Sequence, residues 1–216
     1  MKDPKDIHIL VACEESQAIA NEFRKLGFVA YSCDIEPCSG GHPEWHLQED
    51  CFLAISSRRW DCIIAHPPCT HLCSSGARWF NNPARPDKPK LQKEAIEFFL
   101  KFTRIDCEYV AIENPIGIMS RLYKKPSQIV QPFFFGDRAR KSTCWWLKGL
   151  PRLVPDKMVD EGDSFYWGDS GKRQPKWYRE AWNLPPKERA KARSKTFPGM
   201  ARAIAEQWGN YLKENL

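Results

Sequence analysis

The stretch Trp60-Asp61-Cys62-Ile63-Ile64-Ala65-His66-Pro67-Pro68-Cys69-Thr70-His71-Leu72-Cys73 joins a short β-branched apolar run to a proline-punctuated turn that ends in a thiol. A run of that length, closed by turn residues, predicts a buried strand. Tyr109-Val110-Ala111-Ile112-Glu113-Asn114-Pro115 repeats the arrangement with a carboxylate. The two strands would carry Cys69 and Glu113 at their carboxyl ends, where open α/β sheets place their sites. A thiol nucleophile beside a carboxylic acid suits addition to an electron-poor ring. The sulfur attacks while the acid places a proton on the ring.

Working outward, Ile7 to Ala12 reads as a first strand, followed by the loop Cys13-Glu14-Glu15-Ser16. Ile19, Phe23 and Leu26 have helical spacing over residues 18–26, and Gly27 is a natural stop. Val29 to Cys33 predicts a second strand ending at Asp34. Residues 47–50 suggest a short third strand, and 52–57 a brief helix. The Pro-, Asn- and Arg-rich span 70–89 reads as a long loop placed where a lid would lie. Ala95, Phe98, Phe99 and Phe102 give residues 91–103 an apolar helical face. Residues 129–135 and 142–147 read as a hairpin around Gly136-Asp137-Arg138-Ala139-Arg140, residues 151–186 as irregular, and 199–212 as a final helix. Strands alternating with helices predict an α/β fold: a doubly wound, mostly parallel sheet with an antiparallel edge hairpin. The expected division is a core over 1–150, a small irregular insertion over 151–186, and a basic segment with a returning helix over 187–216.

Composition narrows the function classes. A chain of 216 residues, 42% hydrophobic and 28% charged, has room for one domain with a real core. The start Met-Lys-Asp-Pro-Lys-Asp has no signal-peptide pattern, and no apolar run approaches the roughly 20 residues of a membrane span. A cytoplasmic protein is expected. Nine cysteines, an odd number with Cys33 and Cys62 inside predicted strands, fit a reducing compartment. His66, Cys69, His71 and Cys73 form one dense cluster without a clear second pair, so no metal site is expected. The net charge of +6 is concentrated: residues 171–195 hold nine Lys/Arg against Glu180 and Glu188. Trp177, Tyr178 and Trp182 interleave with Lys172, Arg173, Lys176 and Arg179, the footprint expected for nucleic acid. A merely solvated surface is the alternative reading of such a run.

A doubly wound sheet with a late antiparallel hairpin is typical of methyltransferases that use S-adenosylmethionine. The chain resembles DNA cytosine-5 methyltransferases, in particular the compact versions carried by phages and prophages. Pro68-Cys69 resembles the Pro-Cys of that family's nucleophile loop, Glu113-Asn114 its Glu-Asn, and Arg138-Ala139-Arg140 its Arg-x-Arg. Thr196-Phe197-Pro198-Gly199 resembles the segment closing the cofactor pocket. The resemblance implies Cys69 as nucleophile, Glu113 as proton donor at N3, and Arg140 at the ring oxygen with Arg138 beside it. It implies S-adenosylmethionine at Ala12, Cys13, Glu14, Ser16, Asp34, Ile35, Asp50, Pro67 and Gly199. DNA would be held by Lys172, Arg173, Lys176, Arg179, Ser74 and Arg78, with the target base flipped or single-stranded. A monomer in a bacterial cytoplasm is the implied setting.

Three departures stand out. The loop Cys13-Glu14-Glu15-Ser16 lacks the family's glycines, Gly136 stands where a Gln precedes Arg-x-Arg, and the target-recognition region shrinks to 151–186. Two alternatives remain at this point. One reads His66-Pro67-Pro68-Cys69 as a variant of the Asp/Asn-Pro-Pro-aromatic loop of amino-methyltransferases. The other is an inactive methyltransferase fold kept for binding nucleic acid.

Overall fold

A computed structural model describes residues 1–74, 80, 82–167 and 171–216. Its main sheet has seven strands among the described residues, in the order β3-β2-β1-β4-β5-β7-β6. Here β1 is His8–Ala12, β2 Val29–Cys33, β3 His46–Leu47, β4 Cys62–Ala65, β5 Tyr109–Pro115, β6 Gln128–Val130 and β7 Thr143–Lys148. Strands β1 to β5 run parallel, with Ile9 opposite Cys62 and Cys62 opposite Tyr109. Strand β7 lies antiparallel between β5 and β6. The winding direction reverses between β1 and β4, which opens a crevice at their carboxyl ends. The fold is a doubly wound, Rossmann-like α/β sheet.

Both faces of the central strands are apolar, as parallel strands covered by helices require. Ile9, Val11, Ile64, Ala111 and Trp145 point to one face and pack with Ile19 and Phe23 of α1 (Ala18–Lys25) and Ile204 and Trp208 of α7 (Pro198–Asn215). Leu10, Ile63, Val110, Ile112 and Trp146 point to the other, against Ala54 of α2 (Cys51–Ser57) and Phe99 and Phe102 of α3 (Lys88–Phe102). Trp145 and Trp208 meet edge to face at 5.2 Å. The buried indole N–H groups of Trp208 and Trp146 donate to the carbonyls of Pro151 and Lys124 at 3.0 and 2.8 Å, so neither polar tip is stranded.

Several elements differ from the sequence reading. The third strand is only His46–Leu47, because Asp50 takes the N-cap of α2 and accepts from Phe52 N at 2.7 Å. The late antiparallel pair stands where it was expected, at one edge of the sheet, with β6 outermost and β7 between it and β5. Strand β7 has Cys144 and Trp146 on one face and Trp145 on the other, all buried, as its place between β5 and β6 requires. The long return to β6 holds a 3-10 turn at Pro132–Phe134. The region read as irregular contains an antiparallel pair, β8 (Ser164–Trp167) and β9 (Lys172–Pro175), and a helix α5 (Lys176–Trp182). A short helix α4 (Met119–Leu122) and a polar helix α6 (Pro186–Ser194) were also not foreseen. No residue of α6 is buried; Lys187–Glu36 and Lys191–Glu15 ion pairs, 3.5 and 3.3 Å, tie it to the loops after β2 and β1. Apolar periodicity cannot reveal a helix held that way.

Candidate active site

The Cys69 turn is built on the end of β4. His66 N extends the ladder to Ala12 O at 2.9 Å, and two prolines then stiffen the chain. Buried Asn114, next to Glu113 on β5, donates to Pro67 O at 2.8 Å and locks the loop to the neighbouring strand. Leu72 N and Cys73 N both donate to Cys69 O, closing the turn. Ile118 N donates in turn to Leu72 O at 2.9 Å. A Cβ on Gly117 would sit 2.1 Å from that carbonyl, so the close approach demands glycine. Glu-Asn thus has two separate duties, Glu113 toward the pocket and Asn114 toward the loop.

Glu113 is 16% exposed, with Oε2 3.4 Å from His66 Nδ1. His66 also meets the Trp145 ring edge-on at 5.8 Å. The Cys69 thiol is pushed well up by its hydrogen bond with Cys73, then by burial and by the negative charge of Glu113; Lys141 acts in the opposite sense. Burial pushes the Lys141 amine down, and Glu113 and Cys69 push it back up. Cys69, Glu113 and Lys141 therefore feel one another's charge. His66, Glu113, Lys141, Thr143, Ser194 and Thr196 enclose a space of about 10 Å³. That is room for about one water.

The residues of the expected cofactor site lie on several elements, from the loops after β1, β2 and β4 to the starts of α2 and α7. Cys13 and Gln17 adopt φ of 59° and 55°, so the first loop makes its left-handed turns without glycine. Gln17 is anchored by two bonds with the His42 backbone, 2.8 and 3.0 Å. Glu14 turns inward, and its carboxylate accepts from Ile19 N and Ala20 N at 2.8 and 3.2 Å, occupying the N-terminus of α1. Burial raises this carboxyl to about 7, against the pull of His66 and the two N–H bonds. Ser16 Oγ accepts from Ala18 N at 3.4 Å. Asp34 ends β2 and accepts from Glu36 N at 3.0 Å, its carboxyl raised mainly by burial, and Ile35 beside it is 75% exposed. Ala12 and Pro67 are buried at the ends of β1 and β4, and Asp50 caps α2. Gly199 N donates to Asp137 Oδ1 at 3.1 Å, and Met200 N to Oδ2 at 3.2 Å, so Asp137 caps α7.

The two arginines turn elsewhere. Exposed Arg138 pairs with Asp160 at 2.9 Å, and Arg140 with Glu161 at 3.4 Å and with Arg173 O at 3.1 Å. Among the expected DNA contacts, Arg173 is exposed, Lys176 lies 4.0 Å from Asp163, and the Arg179 guanidinium covers Phe165. Ser74 Oγ donates to Ile116 O, Lys172 lies on β9, and Arg78 falls outside the described residues. Trp177 packs on Phe197 at 5.5 Å, whereas Tyr178 and Trp182 stack with Arg193 and Arg189 of α6 over them. Sequence reading missed Lys141, Glu14 as a cap, and Asp137. A lysine directly after Arg-x-Arg carried no separate signal.

The fold and the site define a Rossmann-like α/β protein with a thiol, a carboxylate and an amine at the carboxyl edge of its sheet. No protein-family model and no curated protein matches the chain. Among solved structures it is similar to a prophage-encoded protein of E. coli described as a DNA modification methyltransferase, with 15% identity and a TM-score of 0.41. That match covers 83% of this chain but 56% of the other, so the chain spans little more than half its length.

Proposed function

We propose that this protein transfers a methyl group from S-adenosylmethionine to C5 of cytosine in DNA through a transient Cys69 adduct. The observation that carries the reading is the placement of the Cys69 turn beyond the carboxyl end of β4, tied by Asn114 to the neighbouring parallel strand that carries Glu113. Cytosine C5 is a weak nucleophile. Attack of the Cys69 sulfur at C6, with a proton from Glu113 to N3, turns the ring into an enamine whose C5 is electron-rich. Once C5 has taken the methyl and the sulfonium has left as a neutral thioether, loss of the C5 proton, expulsion of the thiolate and return of the N3 proton to Glu113 would restore the aromatic base. The target must leave the stack to reach this pocket.

The first loop supports a cofactor without phosphate. Dinucleotides place their pyrophosphate on the N–H groups at the start of the first helix. Here the Glu14 side chain already takes Ile19 N and Ala20 N, the donors a phosphate would need. S-adenosylmethionine has no phosphate and brings an electrophilic methyl on a positive sulfonium. In this reading Ala12, Cys13, Ser16 and Pro67 border it, Asp34 and Ile35 hold its ribose end, Asp50 lies toward its adenine, and Gly199 closes the pocket. The 151–186 region serves as a reduced target-recognition module, with the basic segment across 171–195 following the phosphates.

Incubation of the protein with tritiated S-adenosylmethionine and DNA, followed by nucleoside analysis, tests the reading. Label in 5-methylcytosine is expected. Label in N4-methylcytosine or N6-methyladenine would move the reaction to the exocyclic amine, and absence of transfer would refute an active enzyme.

A further inference from the structure

Among the described residues two charged side chains are buried, Glu14 and Lys88, each 5% exposed. Glu14 caps α1, whereas Lys88, the first residue of α3, has no part in the chemistry above. Its Nζ lies 2.8 Å from His71 Nδ1 and 3.5 Å from Thr70 O, with the Phe80 ring centroid at 5.8 Å. The adjacent carboxylate, Asp87, is taken by Arg85 at 3.2 Å. An ammonium only donates, so His71 Nδ1 accepts and the neutral imidazole keeps its proton on Nε2. One helical turn on, Gln92 Nε2 donates to His71 O at 3.3 Å. Helix α3 thus holds the two residues that follow Cys69. From β5 and the segment after it, Asn114 and Ile118 hold the same loop at Pro67 O and Leu72 O.

Resting on the reading of Cys69 as the nucleophile, we propose that Lys88 is a positioning residue: through His71 it holds the turn that carries Cys69, and it lets go when His71 takes a second proton. A buried ammonium without a carboxylate needs an acceptor, and the neutral imidazole supplies one. Protonation of His71 removes that acceptor and sets two cations 2.8 Å apart. Burial, then Lys88 and Arg85, oppose protonation of His71, whereas Asp87 and Cys73 favour it. The hold is therefore closed at neutral pH and opens only below the ordinary histidine value of 6.5. With the hold open, α3 keeps the turn through Gln92 alone. A nucleophile carried on such a turn loses its alignment with the reacting carbon before the protein loses its fold.

Hydrogen exchange at the Leu72 and Cys73 amides, which both donate to Cys69 O, reads the turn without DNA or cofactor. Lys88→Met keeps the apolar stem and should lower their protection about tenfold, the loss of one hydrogen bond, with β4 and β5 unchanged. In the parent the same protection factors should fall as His71 protonates. His71→Asn, whose amide oxygen accepts from Lys88 without titrating, should restore the protection and abolish that acid limb. In methyl transfer Lys88→Met should lower kcat by about ten- to a hundredfold with KM for DNA unchanged. Should Lys88→Met not fold, Gln92→Leu removes the link to His71 O alone and should raise exchange at the same two amides. Unchanged protection in Lys88→Met would overturn the proposal, as would an equal loss throughout β4 and β5 or an acid limb that persists in His71→Asn. A protein with the expected exchange that makes no 5-methylcytosine would keep Lys88 as the hold on the turn and lose only the substrate assignment.

Discussion

Glu14 offers a sharp test of how the first loop is built. Its carboxylate is 5% exposed and replaces the glycine-rich turn as the element that caps α1. Burial lifts it from an ordinary 4.5 to about 7, the two backbone N–H bonds and His66 opposing and Glu15 reinforcing the rise. A folded-state value above the unfolded one means that the unfolded chain ionises first as pH rises. Stability is therefore lost between about pH 4.5 and pH 7 and levels off above. Over pH 5 to 8 this group alone removes about 2.5 kcal/mol. In Glu14→Gln the titration vanishes, while an amide nitrogen now confronts one of the two N–H groups, costing about 1–3 kcal/mol at every pH. The variant should thus be less stable than the parent at pH 5 and should close or reverse the gap by pH 8. Urea unfolding of both proteins at half-unit pH steps, followed by tryptophan fluorescence, measures the difference. A parent-minus-variant stability that stays flat from pH 5 to 8 would refute the buried-cap account.

Cys69→Ala and Cys69→Ser should abolish methyl transfer while leaving cofactor binding intact, since a hydroxyl is a far weaker nucleophile near neutral pH. The parent should form a covalent adduct with DNA containing 5-fluorocytosine, visible as a band resistant to denaturation, and an active Ala variant would rule out thiol chemistry. Gly117→Ala should cost about 1–3 kcal/mol in thermal or urea unfolding, because the new Cβ meets Leu72 O at 2.1 Å. Its activity should fall further than its stability, as the Cys69 turn is pushed off β5. If residues 171–195 follow DNA, the slope of log affinity against log salt should shrink by about one for each phosphate-contacting cation removed. The Lys172→Ala, Arg173→Ala, Lys176→Ala variant checks this in a binding titration, and an unchanged slope would mean solvated charges.

The parts of the fold that sequence disclosed were those in which one physical signal dominates. Strands β1, β2, β4 and β5 are short apolar runs closed by turn residues, and α1, α3 and α7 repeat apolar residues at helical spacing. Strand β7 was expected in an antiparallel edge pair and forms one, with Trp145 and Trp146 large on opposite faces. That marks a strand buried on both sides, yet the sequence gives no register to say which neighbours it takes. Helix α6 and the β8–β9 pair rest on ion pairs, ring stacking and backbone ladders, which leave no periodic trace.

The site divides along the same line. The positions of Cys69, beyond the carboxyl end of β4, and of Glu113, near that of β5, were legible from the apolar runs that form those strands. Side chains whose direction depends on a loop were not. Arg138, Arg140 and Lys141 lie within four residues of one another, yet the first two pair with Asp160 and Glu161 while the third lines the same small space as Glu113. The difference arises where the chain passes from loop into β7. Lys141 N is fixed by Gln131 Oε1 at 3.0 Å, and Gln131 in turn donates to Ser142 Oγ at 2.8 Å. Gln131 opens the return from β6, so the direction of the pocket lysine is set by a strand pairing that no local pattern at Lys141 encodes. Replacing Gln131 with Leu would therefore leave the positive charge present and misdirect it, a loss of placement rather than of chemistry.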